Sequence, residues 1–143
     1  MKVEEILNRN VVTVEPDITL EEAARKMVDE GTKFLIVTKN EKLVGIVTEW
    51  DFVKRLASEE RFDEKAKLET IMTKKVIVIP PDTEIGEAAE IMAANNIKKL
   101  PVVEGNVLIG VVTAMDIIAA EPKLIEQISE LVLTGGKQKP VAG

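Results

Sequence analysis

The chain has 143 residues, 45% hydrophobic and 31% charged, with a formal net charge of −6 at pH 7 and neither cysteine nor histidine. Disulfides, zinc sites of the usual Cys/His kind, cysteine nucleophiles and histidine acid–base chemistry are therefore excluded together. The acidic balance argues against a nucleic-acid partner, and no run approaches the roughly 18–20 apolar residues of a membrane span.

Met1-Lys2-Val3-Glu4-Glu5 puts acids where a secretion signal carries its apolar region, so a cytoplasmic location is expected. Val3 to Leu7 reads as a short helical lead-in, and Val11 to Val14 as a brief strand closed by the Pro16-Asp17 turn. Thr19-Leu20-Glu21-Glu22 is a capping box. It opens a helix with Leu20, Ala23, Ala24, Met27 and Val28 on one face, ended by Gly31. Two strands, Phe34–Val37 and Leu43–Val47, flank the polar turn Lys39–Lys42, and a helix over about 49–58 follows. Residues 58–67 are polar and charged, and read as a linker.

The same order then returns: lead-in 68–72, strand 76–79, helix 84–95, strands 99–103 and 107–112, helix 114–121. The second cap is weaker, since Glu84 stands where Thr19 does and Gly86 where Glu21 does. Residues 6–52 align on 71–117 without a gap, and 16 of the 47 pairs are identical. A repeat of this length occurring twice predicts two similar subdomains rather than a solenoid, which needs at least three shorter units. Both copies have alanine-rich helices (Ala23, Ala24, Ala88, Ala89, Ala93, Ala94), whose small side chains suit close helix packing or simply helix formation. Pro122 begins a last helix with Leu124, Ile125, Ile128, Leu131 and Val132 on one face and a stop at Gly135-Gly136; the Lys137–Pro140 tail is expected to be disordered. The division is thus 1–57, linker 58–67, 68–121, and a C-terminal helix and tail over 122–143.

The most informative stretch is Gly45-Ile46-Val47-Thr48-Glu49-Trp50-Asp51, which returns 65 residues on as Gly110-Val111-Val112-Thr113-Ala114-Met115-Asp116. In each, a strand runs into a helix with a hydroxyl and a carboxylate at the junction. Thr-x-x-Asp at that place is a capping device, and a first-turn carboxylate complements the helix dipole. It also offers backbone N–H groups, a hydroxyl and a carboxylate able to accept from the vicinal hydroxyls of a ribose. The two uses are compatible.

The Pro-Asp turns, the alanine-rich helices, Ile97-Lys98-Lys99-Leu100-Pro101-Val102-Val103 and the two Gly-x-x-Thr-x-x-Asp segments together resemble a pair of CBS domains, over about residues 3–121. The resemblance implies an α+β fold (mixed α/β) of tandem β-α-β-β-α repeats with pseudo-twofold symmetry. It further implies adenosyl ligands such as AMP, ADP, ATP or S-adenosylmethionine in the cleft between the copies, and no catalytic cofactor. By the same resemblance one site combines Thr48 and Asp51 with Val78, Ile79, Lys98 and Lys99. The other combines Thr113 and Asp116 with Thr13, Val14, Lys33 and Phe34. The first set holds two lysines against one, which favours it for ligands with phosphate chains. The chain departs from the family pattern in carrying Trp50 and Met115 where an Arg is frequent, and Lys98-Lys99 where Arg-His is common; lysine lacks the bidentate fork of arginine. Trp50, the single tryptophan, can face a base or pack on the neighbouring helix.

These features predict a non-enzymatic sensor, a nucleotide-responsive homodimer acting on another, unidentified protein. A dimerisation scaffold with vestigial clefts is the alternative. An enzyme built from Asp51, Asp116, Thr and Lys has no visible nucleophile–base pair.

Overall fold

In the computed structural model, which describes residues 1–58 and 60–133, five α-helices and five strands form the mixed architecture that the two periodicities predict. The chain divides into two compact units whose limits differ from those of the repeats. One holds Val11–Val76; the other joins Met1–Asn10 to the chain from Ile77 onward.

In the Val11–Val76 unit, β1 (Thr13–Val14) lies parallel to β2 (Phe34–Lys39), which pairs antiparallel with β3 (Lys42–Thr48). Helix α1 (Leu20–Glu30) crosses between β1 and β2, and α2 (Glu49–Ser58) follows β3 directly. The capping box forms as expected: the Glu22 N–H donates to the Thr19 hydroxyl at 3.1 Å while the Thr19 N–H donates to the Glu22 carboxylate at 3.4 Å. Gly31, with φ +64°, ends α1 in the left-handed conformation that glycine adopts without strain. Leu20, Ala23 and Met27 are buried with Leu35, Val37, Val47 and Leu68. Val28 departs from the expected face and is 80% exposed. At about 100° per residue it stands roughly 80° around the helix from Leu20, past the edge of the buried stripe.

The other unit holds α3 (Ile85–Asn95), the antiparallel pair β4 (Lys99–Glu104) and β5 (Val107–Thr113), α4 (Ala114–Ala120) and α5 (Ile125–Leu133). Glu84 makes no side-chain cap bond to α3, in keeping with the weaker cap read from the sequence. Ala88 and Ala89 are buried with Ile85, Met92, Ile117, Ile128 and Leu131, whereas Ala93 and Ala94 are exposed. Alanine thus serves core packing at the first pair and plain helix formation at the second.

Several expected elements differ in extent: both lead-in helices are shorter, and β2 to β5 are each longer by one or two residues. Three further differences have a clear cause or change an element's start. The strand over 76–79 reduces to a bridge between Ile79 and Val102, because Pro80 and Pro81 follow and Pro101 opposite lacks an N–H. Its counterpart over 11–14 forms a ladder only at Thr13–Val14. A 3-10 turn over Pro122–Leu124 precedes α5, so the final helix starts at Ile125 and not at Pro122. The stop expected at Gly135-Gly136 and the 137–140 tail lie outside the described residues.

The lead-ins explain the units. Val3–Glu5 forms a 3-10 helix whose Val3 and Glu4 N–H groups donate to the carbonyls of Thr83 and Pro81 at 2.8 and 3.1 Å. Asn8 and Val111 then exchange two main-chain bonds of 2.9 and 3.0 Å. Sixty-five residues on, the 3-10 helix Leu68–Thr70 donates to Ile18 and Pro16 at 2.8 and 3.0 Å, and Thr73 exchanges bonds of 2.9 and 3.0 Å with Ile46. Each lead-in therefore completes the unit built on the opposite repeat. The glycines of the repeated motif make room for it. A Cβ on Gly110 would overlap the Asn8 carbonyl oxygen, and one on Gly45 would stand 2.7 Å from Met72 Sδ and 3.0 Å from the Thr73 carbonyl oxygen.

Gly110→Ala is expected to destabilise the protein by about 1–3 kcal/mol, because backbone must move. Gly45→Ala should cost less, because the nearest obstacle is a flexible thioether. Urea unfolding of both variants measures the difference; equal stability of Gly110→Ala and wild type would contradict the docking geometry.

Candidate functional site at the two strand-to-helix junctions

Each unit carries one junction, made by a strand that turns into a helix with no intervening residue. Thr48, the last residue of β3, pairs with Phe34, and Thr113, the last of β5, pairs with Lys99. The first helical N–H groups are partly engaged. Glu49 N–H donates to the Lys33 carbonyl at 3.1 Å, and Ala114 N–H to the Lys98 carbonyl at 2.9 Å. Each junction is thereby pinned to the start of the strand beside it, and it offers fewer open N–H groups than the spacing alone suggests.

The carboxylates do cap their helices. Asp51, 4% exposed, accepts the Thr48 N–H on Oδ2 at 2.8 Å, with the Thr48 hydroxyl 3.4 Å from the same oxygen. Its Oδ1 faces Lys54 Nζ at 3.6 Å. Asp116 accepts the Thr113 N–H on Oδ2 at 2.9 Å, and its own N–H donates to the Thr113 hydroxyl at 3.2 Å. This second carboxylate is half-buried, and the position equivalent to Lys54 is Ala119, so no ammonium faces it from its own helix. One oxygen of each carboxylate is thus structural, and the two junctions differ in what meets the other. Lys54 was not singled out by the sequence reading, although an acid followed three residues later by a lysine on a helix is a recognisable pairing distance.

The twelve candidate residues divide evenly between the units. Thr13, Val14, Lys33, Phe34, Thr48 and Asp51 belong to one; Val78, Ile79, Lys98, Lys99, Thr113 and Asp116 belong to the other. Within each unit the first extended segment, the start of the second strand and the junction are brought to neighbouring strands by the pairing just described. Each expected combination draws on both units. Lys33 is exposed, while Lys98 and Lys99 are half-buried. Trp50 is 44% exposed and its counterpart Met115 61%, which leaves neither packed away beneath a neighbouring helix. Among the described residues no cluster of three or more acidic side chains could hold a metal ion, and no helix is long and apolar enough to cross a membrane.

The sequence matches the CBS domain family at residues 3–58 and again at 68–123. The chain belongs to the CBS domain family. Its two CBS domains follow the sequence repeats, while the compact units exchange their lead-ins between them. An uncharacterized protein of Methanopyrus kandleri is 36% identical to this CBS pair over 132 residues, covering 91% of the chain and 67% of that protein. The inosine-5′-monophosphate dehydrogenase of Methanocaldococcus jannaschii is 40% identical over 119 residues; the match covers 82% of this chain and 23% of the enzyme. Among solved structures, a CBS domain pair in complex with 5′-methylthioadenosine and S-adenosyl-L-methionine aligns with a TM-score of 0.75 and 32% identity, covering 86% of this chain and 97% of that one.

Capping by the two Asp residues has a measurable consequence. Asp51→Ala leaves the buried Thr48 N–H without its acceptor and is expected to cost about 1–3 kcal/mol. Asp116→Ala should cost less, because water reaches a half-buried junction. Urea unfolding of the two variants at neutral pH tests the order; a larger loss for Asp116→Ala would reverse the assignment.

Proposed function

We propose that this CBS pair is a regulatory sensor of adenosine ligands and not an enzyme. AMP, ADP, ATP or S-adenosylmethionine is taken up between the two CBS domains, and the protein acts in the cytoplasm as a homodimer on a separate, regulated protein. The observation that carries this reading is the pair of strand-to-helix junctions, each presenting a Thr hydroxyl and an Asp carboxylate beside the start of a lysine-bearing strand. The 32% identity to a CBS pair solved with two adenosyl ligands supports the ligand class. Thr48 and Asp51 act with Val78, Ile79, Lys98 and Lys99, and Thr113 and Asp116 with Thr13, Val14, Lys33 and Phe34. In each set the acid accepts from ribose hydroxyls; Val78-Ile79 or Thr13-Val14 flanks the adenine, and Lys98 with Lys99, or Lys33 alone, neutralises phosphate. A ligand shifts the equilibrium between packing states only by its differential affinity for them, and the partner protein reads that shift.

A second reading is favoured by two specific features. Trp50, Val53 and Leu56 leave an apolar stripe exposed on α2, and the Asp51 carboxylate already has partners for both oxygens. Both suit a dimerisation scaffold with vestigial ligand sites.

Titration with AMP, ATP and S-adenosylmethionine, followed by Trp50 fluorescence and by calorimetry, separates the two. The sensor gives saturable signals, and Asp51→Ala weakens nucleotide binding far more than Asp51→Glu disturbs folding. Absence of both fluorescence change and heat, or equal binding by wild type and Asp51→Ala, favours the scaffold.

A further inference from the structure

We infer that Lys54 is a latch on the Asp51 carboxylate and sets which adenosine ligands that junction favours. The inference rests on Asp51 being the ribose acceptor proposed above. Asp51 Oδ2 is engaged by Thr48, so Oδ1 is the oxygen left for a ligand. Lys54 Nζ stands 3.6 Å from that oxygen. The carboxylate is 3% exposed at its side chain and the lysine 51%, so a buried acceptor meets a cation that stands half in solvent.

A vicinal diol needs two acceptor directions on the carboxylate, and Lys54 stands across one of them. An ion pair with one partner half in water is weak, equivalent to a factor of about two to five in an equilibrium constant. A ligand can therefore displace it, at a loss large enough to measure. The displaced ammonium remains tethered beside the ligand by its four-carbon stem. There it complements a phosphate and repels a ligand that is itself cationic, as S-adenosylmethionine is at its sulfonium. Lys54 thus weakens the junction for an uncharged nucleoside and returns that loss to a phosphorylated one. The second CBS domain has Ala119 at the equivalent place, so this discrimination belongs to the first junction alone.

The test is calorimetric titration of the full chain with adenosine and with AMP, in an Asp116→Asn background. An Asn there keeps the cap on Thr113 through its carbonyl oxygen while losing the charge and the second acceptor. Lys54→Met, which retains the apolar stem, is expected to tighten adenosine about two- to five-fold and to leave AMP unchanged or weaker. Lys54→Arg keeps the cation and should follow the parent for both ligands. Adenosine affinity that is unchanged or lower in Lys54→Met, or a shift of equal factor for both ligands, overturns the latch while leaving the sensor reading intact. No heat from either ligand in the parent, together with none in the chain carrying Asp116, overturns the sensor reading and the latch with it.

Discussion

The constraint on which the rest depends is the main-chain docking of each lead-in against a glycine of the opposite repeat. Asn8 and Val111 exchange two hydrogen bonds beside Gly110, and Thr73 and Ile46 exchange two beside Gly45. These contacts need backbone close to backbone, which a side chain at Gly110 would prevent and one at Gly45 would crowd. Neither repeat, taken as a continuous stretch, contains its whole core. Val3 is buried among residues of the second repeat, and Leu68 among residues of the first. The duplication has therefore produced two mutually completed units in place of two self-sufficient ones.

That docking bears on the junctions directly. Gly45 and Gly110 lie on the strands that end in Thr48 and Thr113, four residues before the helices begin. Each strand is held by its antiparallel neighbour on one face of the motif and by a lead-in at the glycine, so the point where strand becomes helix is fixed from two directions. The bonds from Glu49 to Lys33 and from Ala114 to Lys98 add a third. A carboxylate presented on such a rigid turn can cap the helix with one oxygen and keep the other at a defined place, which is what pre-organised recognition requires. Capping therefore occupies one oxygen of each carboxylate and is compatible with the ligand role proposed for the other.

The near-symmetry of the repeats makes their differences informative. Both junctions cap through the same Thr N–H to Asp Oδ2 bond, at 2.8 and 2.9 Å. They differ in burial and in the residue one turn further along, Lys54 against Ala119. The two junctions thus share one capping bond but present chemically different surroundings to the second carboxylate oxygen.

Much of this was legible in the sequence because the signals are local. The capping box at Thr19, the glycine stop at Gly31 and the weak cap at Glu84 all depend on residues within a few positions of one another. The repeat register was equally plain, since a fixed offset of 65 needs no structure to be seen. The sequence allowed the Lys54–Asp51 pair without selecting it, and it did not show that Val28 turns outward or that the segment before Pro80 bonds only at Ile79. Those outcomes depend on helix phase, on missing proline donors opposite one another and on side-chain placement. Above all, the amino-acid order by itself determined two like halves, their elements and the chemistry at each junction. Only the tertiary structure decided that the lead-ins change places, because that choice is made by non-local backbone pairing, whose partners lie about seventy to a hundred residues apart in one unit and far closer in the other, and leave no local trace beyond two glycines.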